Sequence, residues 1–374
     1  MSAERSSAVG SGVISISTSG RLKLPQRTDD EHRVRRPRLL ALLACTLSAL
    51  AIAPGATSSA SKHSWAQPQI RVVVARGLMA RSVASFRPTD PLTQSELADL
   101  VAGLTEQPPK PVANPSAQVT LAQLDAKLVR TLELGDEAAV FQDVAVAAGL
   151  RPPARFGTEV VARLLGLRTN HPAGQDDLEV LPNDPIPRAE VAYSVAQILR
   201  LSEWEKTSVE EAAASFELPA FTPWQRRALA TAAGFIGYPY VWGGEFERPE
   251  SPFGAQAQGG FDCSGFAWRV YKLQSYPGAP RLTTVLRGRT AADMAGEVPR
   301  RQRIKPARLT PADLVFFGPG GPRAKPAQID HMGLYLGNGW LIHSSRYGVA
   351  LAHLDGWYAD RLAWGRRPLA EAGL

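Results

Sequence analysis

The segment Phe261-Asp262-Cys263-Ser264-Gly265-Phe266 restricts the fold of this chain more than any other feature. Asp262 is a favourable N-cap residue, and apolar residues follow at 266, 270 and 273, which predicts a helix that begins near Cys263. Such a helix places the thiol beside unpaired backbone N–H groups, where the helix dipole favours the thiolate. The fold is therefore expected to present Cys263 at the start of a helix.

The other cysteine, Cys45, lies in the apolar run Leu39–Ala53, which four arginines precede and small residues follow. This pattern predicts a secretion signal within an N-terminal tail at 1–60. The run is short for a bilayer span of ~20 residues, and an uncleaved anchor is the alternative interpretation. Without Cys45 the mature chain has one thiol and no partner for an internal disulfide.

The charge of the chain is concentrated near its start. The formal net charge is +7, but residues 1–60 hold 8 Lys or Arg against 4 Asp or Glu, which leaves +3 for the rest. We find no basic patch with interleaved aromatic residues, so nucleic acid is not an expected partner. At 374 residues the chain has room for two domains.

Helical patterns dominate residues 86–201, after an unassigned segment at 61–85 that contains the strand-like Ile70-Arg71-Val72-Val73-Val74. Thr93 and Glu96 form a capping-box pattern before one apolar stripe. A second stripe follows Thr120. Residues 90–96 resemble residues 184–190, which predicts stacked helix–loop–helix repeats.

Residues 202–221 are predicted to be a linker, with a short helix at 209–214. The next helix has a clear start, because Thr222 can act as N-cap, Pro223 occupies the first helical position and Gln225 completes a capping box.

Three buried or half-buried strands are predicted after this helix, at 313–318, 331–336 and 340–345. The last two are joined by Gly337-Asn338-Gly339. If all three turn residues are looped out, His331 and His343 share one face of the hairpin. A two-residue turn would place them on opposite faces.

Cys263, His331 and His343 are the parts of a cysteine nucleophile, its base and the group that orients the base. Three such ligands could also bind zinc, but the usual Cys-x-x-Cys and His-Glu-x-x-His spacings are absent, so we expect no metal. We assign no role to His353.

Residues 224–368 resemble the NlpC-type family of bacterial cell-wall cysteine peptidases. The matching stretches, in the order of the family, are 236–244, 261–266, 309–317, 331–337 and 341–343. The resemblance implies an α+β, papain-like domain over 222–369, with helices packed on an antiparallel sheet, preceded by an all-α repeat region.

The same resemblance places the nucleophile at Cys263, the base at His331 and the third polar residue at His343. It implies an active-site tyrosine at Tyr240. Asp262 and Ser264 correspond to residues that hold the substrate's free amine. The stretch 245–260 is longer than usual, Ala312 replaces a common glycine, and 318–329 is extended. These departures affect the expected specificity rather than the chemistry.

The helical region is similar to S-layer homology repeats, through Phe141-Gln142-Asp143-Val144 and the helix start at Pro187-Arg188-Ala189-Glu190. That resemblance implies binding to a cell-wall polymer, whereas a helical spacer is the alternative interpretation. With the secretion signal, the two resemblances imply a secreted, wall-associated hydrolase of peptidoglycan stem peptides that needs no cofactor and typically cleaves between D-γ-glutamate and a diamino acid. We expect a monomer. An amidase or acyltransferase with the same Cys–His parts, and a wall-binding protein with a vestigial peptidase domain, are the rival hypotheses.

Overall fold

The structure is a computed structural model, and it describes residues 64–172, 174–256 and 258–374. The predicted tail and secretion signal at 1–60 lie outside this range. Within the described residues, none of the helices combines the length and apolar character that a membrane crossing requires.

The first half of the described chain is helical. The segment 70–74, which has a strand-like pattern, lies instead in a helix that buries Ile70 and Val73 and packs against the helix Arg188–Ile198. Tertiary burial overrides the preference of its β-branched residues for strands. The helices are α1 (Gln67–Ala75), α2 (Gln94–Thr105), α3 (Leu121–Thr131), α4 (Gly135–Ala147), α5 (Phe156–Leu164), α6 (Arg188–Ile198) and α7 (Glu203–Ala214), with 3-10 helices at Val83–Ser85 and Asp176–Leu178.

Three helix starts in this half are joined in a ring of backbone hydrogen bonds. The amide of Leu92 donates to the carbonyl of Ile186, Ile186 donates to Val119, and Val119 donates to Leu92, each over 2.9 Å. The helices α2, α3 and α6 follow these three residues. The segments 90–96 and 184–190, which resemble each other in sequence, thus join a third segment at 117–123 through backbone hydrogen bonds, while the stacked helix–loop–helix repeat stays a prediction. Residues 141–144 lie inside α4 and open no repeat, and the S-layer homology resemblance stays a prediction.

The prediction of a linker at 202–221 is wrong. A capping box between Ser202 and Glu205 begins α7, which packs against α4. Phe216 is 2% exposed and lies 5.0 Å from the rings of both Phe141 and Trp340. This segment carries apolar residues into a core that is continuous between the two halves of the chain.

The second half combines helices with an antiparallel sheet whose neighbouring strands are, in order, Gly348–His353, Trp340–Ser345, His331–Gly337, Leu314–Phe317 and Leu362–Arg366. The α+β prediction is therefore confirmed. The helices are α8 (Pro223–Gly234), α9 (Cys263–Tyr271), α10 (Ala291–Gly296), α11 (Gly356–Arg361) and α12 (Pro368–Glu371). The strands are β1 (Glu245–Phe246), β2 (Glu250–Ser251), β3 (Gly254–Ala255), β4 (Gly260–Phe261), β5 (Leu314–Phe317), β6 (His331–Gly337), β7 (Trp340–Ser345), β8 (Gly348–His353) and β9 (Leu362–Arg366). Short 3-10 helices lie at Pro280–Thr284, Arg300–Gln302, Pro306–Arg308, Gly321–Arg323 and Pro326–Gln328.

The β6–β7 hairpin combines a two-residue turn with the strand register that a three-residue loop would give. Gly337 pairs with Trp340 around a two-residue turn, in which Asn338 and Gly339 have positive φ. The register then shifts between Tyr335 and Gly337, so that Tyr335 pairs with Leu341. The bulge restores the pairing that a three-residue loop would give. His331 and His343 consequently share one face, which is the alternative that a three-residue loop gives.

A buried ionic network joins the helical half to the second half. Arg163 on α5 donates to the carbonyl of Gly237 over 2.6 Å and lies 3.1 Å from the carboxylate of Glu159. Arg163 and Arg168 also pair with Asp125 on α3. The segment that leads from α8 towards Cys263 is thereby fixed to α5.

Candidate active site

The thiol lies where the sequence predicts it. Asp262 is the N-cap of α9, and its carboxylate accepts a hydrogen bond from the amide of Gly265 over 2.6 Å. Cys263 is the first helical residue and is 9% exposed. Phe266 and Val270 are fully buried, so this face of α9 is held in the core, where the helix packs against β6 and β7. The local signals therefore place the thiol at a helix N-terminus beside the strands that carry the histidines.

His331 and His343 are hydrogen-bonded to each other. Nε2 of His331 lies 2.7 Å from Nδ1 of His343, and the two rings are nearly perpendicular. His343 is 2% exposed. Because Nε2 of His331 is engaged by His343, Nδ1 of His331 is the nitrogen that could take a proton from a thiol.

Both imidazoles are held in the neutral form. Burial, and to a smaller extent the positive charge of Arg361, lower the pKa of His331 from 6.5 to about 4. Burial and the neighbouring His331 lower the pKa of His343 well below its usual value. At neutral pH His331 is therefore available as a base rather than already protonated.

Aromatic residues surround the histidine pair. The rings of Phe317 on β5 and Trp357 on α11 lie 5.7 Å and 6.2 Å from the ring of His331. The hydroxyl of Tyr358, also on α11, lies 3.2 Å from Nε2 of His343. These side chains keep water away from the imidazoles and account for the lowered pKa values.

The carboxylate of Asp262 is crowded with donors. Besides Gly265, it accepts hydrogen bonds from the hydroxyl of Ser264 and the amide of Gly243, over 2.9 Å and 3.1 Å. Arg289 donates to both of its oxygens, over 3.0 Å and 3.1 Å. A carboxylate offers about four lone-pair sites, so little capacity remains for a substrate amine. Ser264 is also engaged, because its hydroxyl accepts from Arg289 over 2.9 Å.

Tyr240 lies on a segment that runs beside the residues preceding the thiol. The amide of Val241 donates to the carbonyl of Phe261, and the amide of Phe261 donates to the carbonyl of Pro239. Asp262 in turn donates to the carbonyl of Gly244. This pairing brings the segment 239–244 next to the start of α9, while the role of Tyr240 stays a prediction.

Three site residues were not predicted from the sequence. The hydroxyl of Ser344 donates a hydrogen bond to the carbonyl of Phe261. Arg289 donates hydrogen bonds to Asp262, and the hydroxyl of Tyr358 contacts His343. Ser344 had a usable signal, since it follows His343 on a strand and is a polar residue in an apolar pattern. Arg289 and Tyr358 lie in loops or short helices without a local motif.

His353 lies outside this arrangement. Its Nδ1 is 3.1 Å from the carboxylate of Asp355, and its ring packs 5.2 Å from that of Trp340. Over residues 64–172, 174–256 and 258–374, no group of three or more His, Cys, Asp or Glu side chains is arranged to hold a metal ion.

Comparison with known proteins defines the class of the domain that contains these residues. The model of the NlpC/P60 family matches residues 237–367, and these residues form an NlpC/P60 domain. The match covers about a third of the chain, and it contains Cys263, His331 and His343. The predicted resemblance of the C-terminal half is therefore confirmed.

Two curated relatives come from Bacillus subtilis strain 168. The chain is 33% identical to the bifunctional muramidase/DL-endopeptidase CwlT over 141 residues, which are 37% of this chain and 35% of the relative. It is 32% identical to gamma-D-glutamyl-L-lysine dipeptidyl-peptidase over 123 residues, 33% of each protein. The chain thus spans about a third of the length of these relatives.

Among solved structures, an NlpC/P60 family protein from Bacillus cereus ATCC 10987 is 25% identical over 41% of this chain and 42% of that chain. The TM-score of this match is 0.30.

Proposed function

We propose that this protein is a secreted cysteine endopeptidase that hydrolyses peptidoglycan stem peptides. The observation that supports this most is the hydrogen-bonded pair His331–His343 on the sheet against which α9 packs, with Cys263 at the first position of that helix. Two relatives of the same domain are named as a DL-endopeptidase and a gamma-D-glutamyl-L-lysine peptidase, which favours a wall peptide as substrate.

In the proposed mechanism, Nδ1 of His331 accepts the thiol proton while the sulfur of Cys263 forms a bond to the peptide carbonyl carbon. The oxyanion is stabilised by backbone N–H groups at the start of α9, together with the hydroxyl of Tyr240. His331 then returns the proton to the leaving amine, and the C–N bond breaks. Water, deprotonated by His331, hydrolyses the thioester and regenerates the thiol. His343 orients His331 throughout.

The scissile bond in this proposal joins D-γ-glutamate to the diamino acid. The name of one relative, gamma-D-glutamyl-L-lysine dipeptidyl-peptidase, supports this bond. The five hydrogen bonds already made to Asp262 disfavour a site that needs a free amine there. A stem peptide without a free amine at Asp262, as in an intact wall, is therefore expected to be a better substrate than one that has a free amine there.

Defined muropeptides, with and without a free N-terminal amine, test the proposal. Wild-type protein, Cys263→Ala and His331→Ala would be incubated with them and the products read by mass spectrometry. Cleavage after D-γ-glutamate by the wild type alone supports the proposal. A new amide or ester in the products would favour the acyltransferase, and hydrolysis of a different amide bond would favour the amidase. No cleavage of any fragment would favour a vestigial peptidase domain.

A second candidate function, binding of a cell-wall polymer, is favoured by a cavity in the helical half. The cavity has a volume of about 730 Å³ and lies between two of the repeated helix starts, with Trp65, Thr89, Asp184 and Glu190 among its lining residues. Pelleting with purified cell walls would measure binding. Thr89→Trp, which fills the cavity, should reduce the bound fraction, whereas Thr105→Trp at the exposed end of α2 should not. Equal binding by both would favour a helical spacer.

A further inference from the structure

Tyr358 extends the histidine pair by one more polar group. It lies on α11, between β8 and β9, and its hydroxyl is 3.2 Å from Nε2 of His343. The ring of Tyr358 packs 5.5 Å from that of Phe317 and 5.2 Å from that of His343. These contacts aim the hydroxyl at the histidine pair, and the hydrogen bonds connect His331 to His343 and His343 to Tyr358.

Proton placement along this order follows from the chemistry of the base. When Nδ1 of His331 holds the thiol proton, both nitrogens of His331 carry hydrogens, and its Nε2 must donate to His343. Nδ1 of His343 then accepts, so the single proton of His343 lies on Nε2. That N–H is buried and needs an acceptor, and the oxygen of Tyr358 is the acceptor within reach.

The opposite arrangement disables the base. If the proton of His343 lies on Nδ1, it donates to Nε2 of His331. The proton of neutral His331 is then confined to Nδ1, which can no longer accept one from a thiol. Without a hydroxyl at position 358, the first arrangement leaves the buried Nε2–H of His343 without an acceptor, whereas the opposite arrangement leaves its Nε2 lone pair without a donor. The unpaired N–H is the more costly of the two.

We propose that Tyr358 is a positioning residue, which accepts the Nε2–H of His343 and so favours the state in which His331 holds the thiol proton. This inference rests on the proposed cysteine peptidase function. It adds a fourth member, on a separate element, to the group formed by Cys263, His331 and His343.

Kinetics of Tyr358→Phe provide the first test, with Tyr335→Phe as the matched control. Both tyrosines pack against the same apolar cluster, and the hydroxyl of Tyr335 accepts a hydrogen bond from the amide of Gly339 at the hairpin turn. We expect kcat on a muropeptide substrate to fall about 10-fold to 100-fold in Tyr358→Phe, with KM within about 2-fold. The acid limb of kcat/KM should also move to lower pH, because protonated His331 loses support. Rates for Tyr358→Phe equal to those for Tyr335→Phe would overturn the proposal.

The second test does not depend on turnover. In ¹⁵N-histidine-labelled protein, nitrogen chemical shifts report which ring nitrogen is protonated. At pH 7 we expect the Nε2–H form of His343 in the wild type and a larger Nδ1–H fraction in Tyr358→Phe. Nδ1–H as the main form in the wild type would overturn the proposal. An inactive wild type that still shows Nε2–H would count against the proposed function alone.

Discussion

The hydroxyl of Ser344 donates a hydrogen bond to the backbone carbonyl of Phe261 over 2.6 Å. Ser344 follows His343 on β7, and Phe261 lies two residues before Cys263. The bond is fully buried and crosses between the strand that carries one histidine and the segment that carries the thiol. It therefore fixes the distance between the two parts of the candidate active site.

We expect Ser344→Ala to lower both stability and activity. Loss of one buried hydrogen bond costs about 1–3 kcal/mol of unfolding free energy. A small shift of α9 relative to β7 should also reduce kcat, because nucleophile and base would no longer be held in register. Urea denaturation and turnover of a muropeptide measure the two effects. The control is Ser345→Ala, since Ser345 accepts a long hydrogen bond of 3.4 Å from the amide of Tyr347, two residues away. Equal stability and activity of both variants would contradict the prediction.

On the acid side of the pH profile, activity should be lost only at an unusually low pH. His331 acts as a base only when it is unprotonated, so activity is present above its pKa and lost below it. Because burial and Arg361 lower this pKa to about 4, kcat/KM should persist well below pH 6.5 and fall near pH 4.

Arg361→Gln tests the electrostatic part of this shift. Arg361 pairs with Asp330, the residue before His331, so its removal takes away a positive charge and exposes the imidazole to a carboxylate. Both changes favour protonated His331, and the acid limb should move towards higher pH. Arg323→Gln is the control, because Arg323 is exposed on the 3-10 helix that contacts α11. A profile for Arg361→Gln that matches the control would show that burial alone sets the pKa.

Arg289→Gln should be strongly destabilising. The guanidinium pairs with Asp262 and with Glu245, which is 6% exposed, at 3.0 Å each. Burial opposes the charged guanidinium, but pairing with these carboxylates outweighs it and raises the pKa of Arg289. Its loss leaves two shielded carboxylates without a cation, which costs about 3–5 kcal/mol in a fully buried case and less here. Thermal unfolding measures the loss of stability, with Arg287→Gln, a change at an exposed neighbour, as the control. Equal unfolding midpoints for the two variants would contradict the prediction.

Phe216→Ala tests whether residues 202–221 belong to the core. The ring lies between Phe141 of the helical half and Trp340 of the sheet, so its removal leaves a cavity where the halves meet. We expect a loss of about 3–5 kcal/mol in unfolding free energy, within a single cooperative transition. Circular dichroism and tryptophan fluorescence would follow the transition. A loss below about 1 kcal/mol, as expected for a flexible linker, would contradict this.

The sequence by itself determined the features that depend on residues close together in the chain. Asp262 caps α9, Thr222 caps α8 and Thr93 caps α2, each through a hydrogen bond to an amide three residues ahead. Such bonds need only local geometry. The strands of the β6–β7 hairpin and the position of Cys263 follow from the same kind of local pattern.

Only the tertiary structure decided which distant side chains meet. The bulge between Tyr335 and Gly337 set the histidine register, since the turn residues were compatible with two pairings. Tyr358 and Arg289 reach the site from elements far along the chain, and α7 is held by its contact with α4. Nothing near these residues in sequence encodes their partners, because such contacts form only when a common core brings remote elements together.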